Sequence, residues 1–408
     1  MIKKLANNIL MDLGSTTVKY FRFDDCGHLS DSGYFLRNYA EIVGKQAATI
    51  LSEELAFNSN TDIVKICSSA NGGLKVGIIG YTERFSAKWA EKAAFNSGAN
   101  VCWTVTIENL GGFSLCGVDI LVVAGGASNS PVFNQILWLK KIKEMHINFE
   151  TIVFSGNESL HAEAQKLWPN LISTKNILGE DLKWEGDELV KTLTQAYLSD
   201  LVDRKGISNM KDFSAVPIIP TPAVVQNAFT AILDLRTKFS FGTPLLMLDI
   251  GGATTDIFYG GELLPDSGDL SPRPSVNRHV FSDLGIYTSK DALLSRLSLS
   301  HRLSDFLHAL DPSIAEQSYL SLRENDVDWI TPNFLAEACF FLALDACFDG
   351  IKEGPTLELS RVACILVTGG ASQLCNPDRL KRIADMCGAL NSELVLDDRY
   401  EIWMEGMK

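Results

Sequence analysis

Two short stretches constrain this chain more than anything else in it: Ile9-Leu10-Met11-Asp12-Leu13-Gly14-Ser15-Thr16-Thr17-Val18-Lys19, and Leu245-Leu246-Met247-Leu248-Asp249-Ile250-Gly251-Gly252-Ala253-Thr254-Thr255-Asp256. In each, an apolar run ends at an Asp, glycine and small hydroxyl residues follow, and apolar sequence resumes. That is the pattern of a β-hairpin whose tight turn carries an acid. Glycine lets a ligand approach the main chain, and bare backbone N–H groups with Ser/Thr hydroxyls can hold phosphate oxygens. An Asp near phosphate repels it unless a divalent metal and its waters lie between them. Two such turns in one chain point to two facing lobes that grip one nucleotide.

With 408 residues, 46% of them hydrophobic, the chain can bury two or more cores. A net charge of −14 argues against a duplex nucleic-acid surface, which needs a basic face. The nine cysteines (Cys26, Cys67, Cys102, Cys116, Cys339, Cys347, Cys364, Cys375, Cys387) are odd in number and contain no CxxC pair. With no signal peptide, this favours reduced thiols in a cytoplasmic protein, each read as a buried small hydrophobe. No apolar run approaches the ~20 residues of a membrane span. His28, His146, His161, His279, His301 and His308 are dispersed without ligand spacing, which argues against a bound transition metal.

Along the chain, apolar strands alternate with helices from Val64 onward. Val64–Ser68, Val76–Tyr81, Val118–Ala124 and Thr151–Phe154 read as strands. Thr82 is placed to cap an Ala-rich helix that ends at Ser97-Gly98. Such alternation predicts a parallel sheet covered on both faces. Gly125-Gly126-Ala127-Ser128 ends one of these strands, where open sheets bind ligands, yet it lacks GxGxxG spacing; an ordinary turn and a functional loop remain equal readings. Glu185–Lys205 reads as a long amphipathic helix, Pro265–Pro274 as a surface loop, and Lys290–Asp326 as a helical cap.

The paired turns resemble the two phosphate loops of the actin, sugar kinase and heat-shock chaperone ATPase superfamily. Three further segments follow in that superfamily's order: Pro217–Ala228 as a first hinge helix, Glu337–Ile351 as a second, and Ile365-Leu366-Val367-Thr368-Gly369-Gly370-Ala371-Ser372 as the strand and glycine turn against adenosine. Within the superfamily the chain resembles the accessory ATPase of adenosylcobalamin-dependent glutamate mutase and its aminomutase relatives, the MutL family unrelated to mismatch repair. The distinguishing marks are Cys67-Ser68-Ser69-Ala70-Asn71-Gly72-Gly73-Leu74-Lys75-Val76 and Asp119–Gly126; Pro220-Thr221-Pro222-Ala223-Val224 and Ser282-Asp283-Leu284-Gly285 fit as well. The resemblance runs from about residue 9 to residue 400.

It implies an α/β, two-lobed actin-like (ribonuclease H-like) fold with an inserted α/β domain. The expected divisions are residues 1–60, the N-terminal part of the first lobe; 61–180, the insertion; 181–240, a return to the first lobe with the hinge helix; 241–360, the second lobe with its helical cap; and 361–408, the adenosine-site strand and C-terminal helix. It also implies ATP and Mg²⁺ as ligands and an adenosylcobalamin-dependent mutase as partner. Asp12 and Asp249 would hold the metal through water, although a turn Asp can also bond its own backbone. Gly14, Ser15, Thr16, Gly251, Gly252, Thr254 and Thr255 would cradle phosphate, and Gly369 with Gly370 would let adenosine pack on the main chain. Lys19 is open between reaching phosphate and snorkelling to water. Asp256 is open between orienting the attacking water and bracing its hairpin, and Asp283 between a nucleotide-side group and a turn acid.

One departure stands out. Heat-shock chaperones place a Glu before the Pro-Thr of the first hinge helix, and here that position is Ile219. The expectation is slow hydrolysis, or help from Asp256 or Gln226. The alternatives are a small-molecule kinase of the same superfamily, with Asp283 as base, and a non-hydrolysing nucleotide-binding scaffold. The acyl-CoA dehydratase activators are a further relative, but they need cysteines that bridge an iron–sulfur cluster, and no suitable pair stands out.

Overall fold

A computed structural model describes residues 8–407 apart from 15, 25, 27, 39, 59–60, 70–73, 111–114, 127–131, 180–184, 206–209, 211–212, 215, 235–238, 266–275, 314, 325–326, 349–354 and 398. Ser15, the middle of the Cys67–Val76 signature, Ala127-Ser128 and most of the Pro265–Pro274 loop therefore lie outside the described residues. The chain separates into two compact units, one of residues 1–7 with 38–223 and one of 8–37 with 224–408. This division differs from the five expected segments, because the N-terminal hairpin groups with residues 224–408.

The chain opens with three antiparallel strands, β1 (Asn8–Leu13), β2 (Thr17–Phe23) and β3 (Leu29–Leu36). The register of the first pair sets Asp12 opposite Lys19. The other unit then begins with α1 (Val43–Thr49) and β4 (Ile63–Ser68).

Its parallel sheet is built from β5 (Lys75–Gly80), a helical segment ending in α2 (Lys88–Asn96), β6 (Asn100–Thr106), β7 (Val118–Gly125), α3 (Val132–Glu144), β8 (Phe149–Gly156), α4 (His161–Leu167) and β9 (Ile172–Ser173). The strand order is β6-β5-β7-β8-β9, and every pairing is parallel. β7 is buried along almost its whole length, as a strand covered on both faces must be. Thr82 caps the helical segment through the Ser86 N–H, as its position predicts. Gly98 ends it in the left-handed region at φ 83°, where glycine carries no Cβ penalty. The unit closes with α5 (Asp187–Lys205) and β10 (Ile219–Pro220), the latter parallel to β4 with Ile219 opposite Cys67.

α6 (Thr221–Leu233) carries the chain back to the unit of residues 8–37 and 224–408. There follow β11 (Leu245–Ile250), β12 (Thr255–Tyr259), β13 (Asn277–Phe281), α7 (Lys290–Leu299), α8 (Leu303–Leu310), α9 (Ala315–Arg323), α10 (Pro332–Phe348), β14 (Cys364–Thr368), α11 (Pro377–Met386), β15 (Glu393–Leu396) and α12 (Glu401–Gly406). The sheet order is β13-β12-β11-β14-β15, antiparallel on the β13 side and parallel on the β15 side. α10 is buried from Phe334 to Cys347, consistent with a helix that is apolar on every face. Its two acids are not left bare: Asp345 accepts from Arg302 at 2.7 Å and Glu337 from Arg379 at 3.4 Å.

The architecture is thus mixed α/β with parallel sheets. Five cysteines are buried, as expected for small hydrophobes, but Cys26, Cys102 and Cys116 are exposed. Those three sit on a hairpin turn, on the end strand β6 and in a loop. No helix among the described residues is long and apolar enough to cross a membrane.

Candidate nucleotide site

All the described elements that frame the site belong to the unit of residues 8–37 and 224–408. Hairpin register fixes its first pair. Lys19, opposite Asp12, donates from Nζ to Asp12 Oδ2 at 3.0 Å. The second hairpin sets Asp249 opposite Asp256, and the parallel pairing with β14 sets Asp249 beside Thr368. The two turns come together: a Cβ added at Gly252 would lie 2.5 Å from Thr16 Cγ2. Gly369, at φ 87°, follows β14 in a conformation that L side chains rarely adopt, and a Cβ there would overlap Asp249 Oδ1. Among the described residues a Cβ at Gly370 would meet only the end of Lys19, at 3.8 Å, so this residue opens toward the same space.

The charges follow from this packing. Burial alone would lower the Lys19 pKa, but Asp12 and its neighbours outweigh it and hold the ammonium above the usual lysine range. Burial, with the Asp256 and Asp12 carboxylates, pushes Asp249 up to about 7 against the pull of Lys19 and Arg278. Two carboxylates gathered around one ammonium form an oxygen donor set that fits a hard divalent cation such as Mg²⁺. A metal at Asp12 and Asp249 would supply the positive charge that this cluster lacks.

The other predicted residues divide. Asp256 is buried and its Oδ2 accepts from Arg278 at 2.9 Å, the two lying on one face as diagonal neighbours across β12 and β13. Asp256 Oδ1 finds no hydrogen-bond partner among the described residues, and burial raises the carboxyl despite Arg278. Thr255 is turned inward, fully buried, and its hydroxyl donates to the Leu284 carbonyl at 2.8 Å, so it braces the loop from behind. The backbone N–H groups of Ile286, Tyr287 and Thr288 likewise bond the carbonyls of Gly251 and Gly252. Gly251 N–H closes the turn on the Thr254 carbonyl at 2.9 Å. Asp283 is paired with Arg296 at 2.8 Å and lines a separate cavity of about 480 Å³ between α7 and α10. Ile219 lies on β10 of the other unit.

In that other unit, the Gly125-Gly126 turn packs tightly. A Cβ at Gly125 would overlap Ser86, one at Gly126 would overlap Gln135, and Asn176 Nδ2 donates to the Gly126 carbonyl at 2.8 Å. These contacts account for both glycines without a ligand.

Sequence reasoning passed over four features. Arg278 and Asp397 lie outside every motif; Asp397 accepts from Thr368 Oγ1 at 2.8 Å and from the N–H groups of Ile402 and Trp403. Tyr400 lies with its ring centroid 5.2 Å from Lys19 Nζ. The dispersed histidines also hid a local grouping: ligand atoms of Asp24, Cys26 and His28 lie within 4.8 Å of one another on the β2–β3 turn, where Asp24 Oδ1 accepts from the Cys26 and His28 N–H groups. Their alternate spacing was the one available signal.

A family model described as "MutL protein" matches residues 8–389. The Protein MutL of Clostridium tetanomorphum is 28% identical over 302 residues, which cover 70% of this chain and 65% of that protein. The chain therefore spans a little under two thirds of the length of this relative. Among solved structures, a ROK family glucokinase from Streptomyces griseus in complex with glucose and AMPPNP is 10% identical at a TM-score of 0.34, covering 98% of this chain and 97% of that one. The activator of 2-hydroxyisocaproyl-CoA dehydratase from Clostridium difficile, with bound ADPNP, is 9% identical at a TM-score of 0.33, covering 98% and 92%. Likenesses this distant carry no weight for function.

Proposed function

Because the chain belongs to the MutL protein family, we propose that it is an ATP-binding accessory factor that keeps an adenosylcobalamin-dependent mutase, such as glutamate mutase or an aminomutase, competent. The nucleotide half of this reading rests on one observation: Asp12, Lys19 and Asp249 converge beside two glycine turns that meet at Thr16 and Gly252. Lys19 exchanges its bond to Asp12 for a phosphate oxygen when nucleotide enters, which frees Asp12 for a metal. Mg²⁺, when bound, neutralises the carboxylates and the phosphate chain together. Gly14, Thr16, Gly251, Gly252 and Thr254 hold phosphate through main-chain N–H groups and hydroxyls, and Gly370 lets the nucleotide lie against the chain. Thr255 and Asp256 act from behind, one on the loop and one on Asp249.

With Ile219 before the Pro-Thr of α6, hydrolysis is slow, and the nucleotide works as a conformational ligand more than as fuel. A ligand shifts such an equilibrium only by its differential affinity for the two states, and by linkage the mutase must change ATP affinity by the factor by which ATP changes mutase affinity. A kinase role is less well supported, since Asp283, the acid available as its base, is already engaged by Arg296. The mutase half rests on family membership and is tested by offering the purified chain an inactivated adenosylcobalamin mutase with and without Mg-ATP. ATP-dependent cobalamin release supports the proposal. Failure of any such mutase from the same cell to bind in either nucleotide state overturns it.

A further inference from the structure

The C-terminal segment reaches into the site through one residue. Tyr400 is a non-glycine residue in the left-handed region, at φ 56° and ψ 22°, directly before α12. Such a backbone persists only where surrounding contacts over-determine it, and here they do. The Tyr400 N–H bonds the Asp397 carbonyl at 3.3 Å, and its own carbonyl accepts from Met404 at 2.9 Å. The Asp397 carboxylate, tied to Thr368 at the end of β14, holds the first N–H groups of α12. Phe21 packs edge-on against the Tyr400 ring at 5.4 Å and against Trp403 at 5.3 Å. All this pins an aromatic ring beside the Lys19 ammonium, which Asp12 holds from another side at 3.0 Å.

From this geometry we infer that Tyr400 is a positioning residue of the nucleotide site, holding Lys19 over the phosphate-binding turns by a cation–π contact. This rests on the nucleotide reading above and adds to it that Asp397 and residues 399–407 are a working part of the site. The choice of group has a physical reason. A third carboxylate would compete with phosphate for Lys19 and add repulsion, whereas an aromatic face attracts the cation without a directional bond. Lys19 can then move from Asp12 to phosphate while it stays against the ring. The ring also covers the ammonium from water, which strengthens its attraction for an incoming anion.

The test measures Mg-ATP affinity by calorimetry, with KM and kcat for hydrolysis, on the full chain and on Tyr400→Phe, Tyr400→Leu and Tyr400→Ala. Circular dichroism and thermal melts check that each is folded. Loss of one cation–π contact predicts about three- to tenfold weaker binding in the Leu and Ala variants, seen in KM more than in kcat, with Phe restoring most of the loss. In a Lys19→Met background, followed to millimolar ATP, Tyr400→Ala should cost nothing more, since a group acting through Lys19 has nothing left to act on. Unchanged affinity in folded Tyr400→Leu overturns the inference, as does Tyr400→Phe behaving like Ala or full additivity with Lys19→Met. No Mg-ATP binding by the unmodified chain instead overturns the nucleotide reading itself, so the two failures are distinguishable.

Discussion

The two acid-bearing hairpins look alike in sequence and differ in electrostatics. In the first, the residue across from Asp12 is Lys19, and the carboxylate is met by a cation from its own hairpin. In the second, the residue across from Asp249 is another acid, Asp256, and the balancing cation, Arg278, is on the next strand and bonded to Asp256. Asp249 is left with its charge opposed by burial and by like neighbours. On the proposed function this difference divides the labour: the first hairpin would offer a cation to an anionic ligand, and the second a carboxylate to a metal.

The largest effect on ligand binding should come from removing that carboxylate. Asp249→Asn is expected to weaken Mg-dependent ATP binding by about a hundredfold or more, because in the proposed function Asp249 is one of the two carboxylates that hold the metal. It should leave the fold intact. Calorimetry with and without Mg²⁺ on the folded variant checks it, and unchanged Mg-ATP affinity would break the contrast between the hairpins.

Next comes Arg278→Met. It strands Asp256 in a buried site where breaking an ion pair typically costs about 3–5 kcal/mol, less whatever protonation of the acid recovers. Denaturant unfolding should show that loss. Replacing both residues, Arg278→Met with Asp256→Leu, should return much of it; a double variant as unstable as the single one would mean that the pair is not what holds β12 to β13.

Gly369→Ala should destabilise by roughly 2–4 kcal/mol, since the new methyl both enters the left-handed region and overlaps Asp249. Among the described residues, Gly370→Ala has only the end of Lys19 to meet. It should melt like the parent protein and lose nucleotide affinity instead. Equal melting temperatures for both variants would remove the distinction between a glycine needed for packing and one needed for the ligand.

The last expected effect is a pH dependence. A carboxyl whose folded pKa of about 7 exceeds its unfolded value of 3.8 keeps its proton in the native state between those limits. Stability without metal should therefore fall as pH rises from about 4 through 7. Asp249→Asn should flatten that slope, and Mg²⁺ should oppose it at the upper end. Melting curves from pH 5 to 8 decide the matter, and a slope unchanged in the variant would place the titrating group elsewhere.

Local signals were readable where one stretch of chain settles its own structure. Thr82 before an Ala-rich run, Gly98 after it, and the unbroken apolar run of β7 each predicted an element that formed. The two hairpins themselves were legible too, although it was their observed registers that set Lys19 opposite Asp12 and Asp249 opposite Asp256. Hidden from that reading were the exposure of Cys26, Cys102 and Cys116, and the inward turn of Thr255. Both depend on which neighbouring layer is present, and composition does not report it.

By itself, then, the sequence determined two hairpins with acids at set positions, a parallel α/β segment between them, and membership of one family. Tertiary structure alone decided which distant groups meet those acids. Arg278 reaches Asp256 through the register of β13, Gly369 reaches Asp249 through the parallel pairing of β14, and Tyr400 reaches Lys19 through the packing of α12. Hairpin pairing is set by a turn of a few residues, whereas a parallel register or a helix docking is set by side-chain fit over a whole core, and no spacing in the chain encodes that fit.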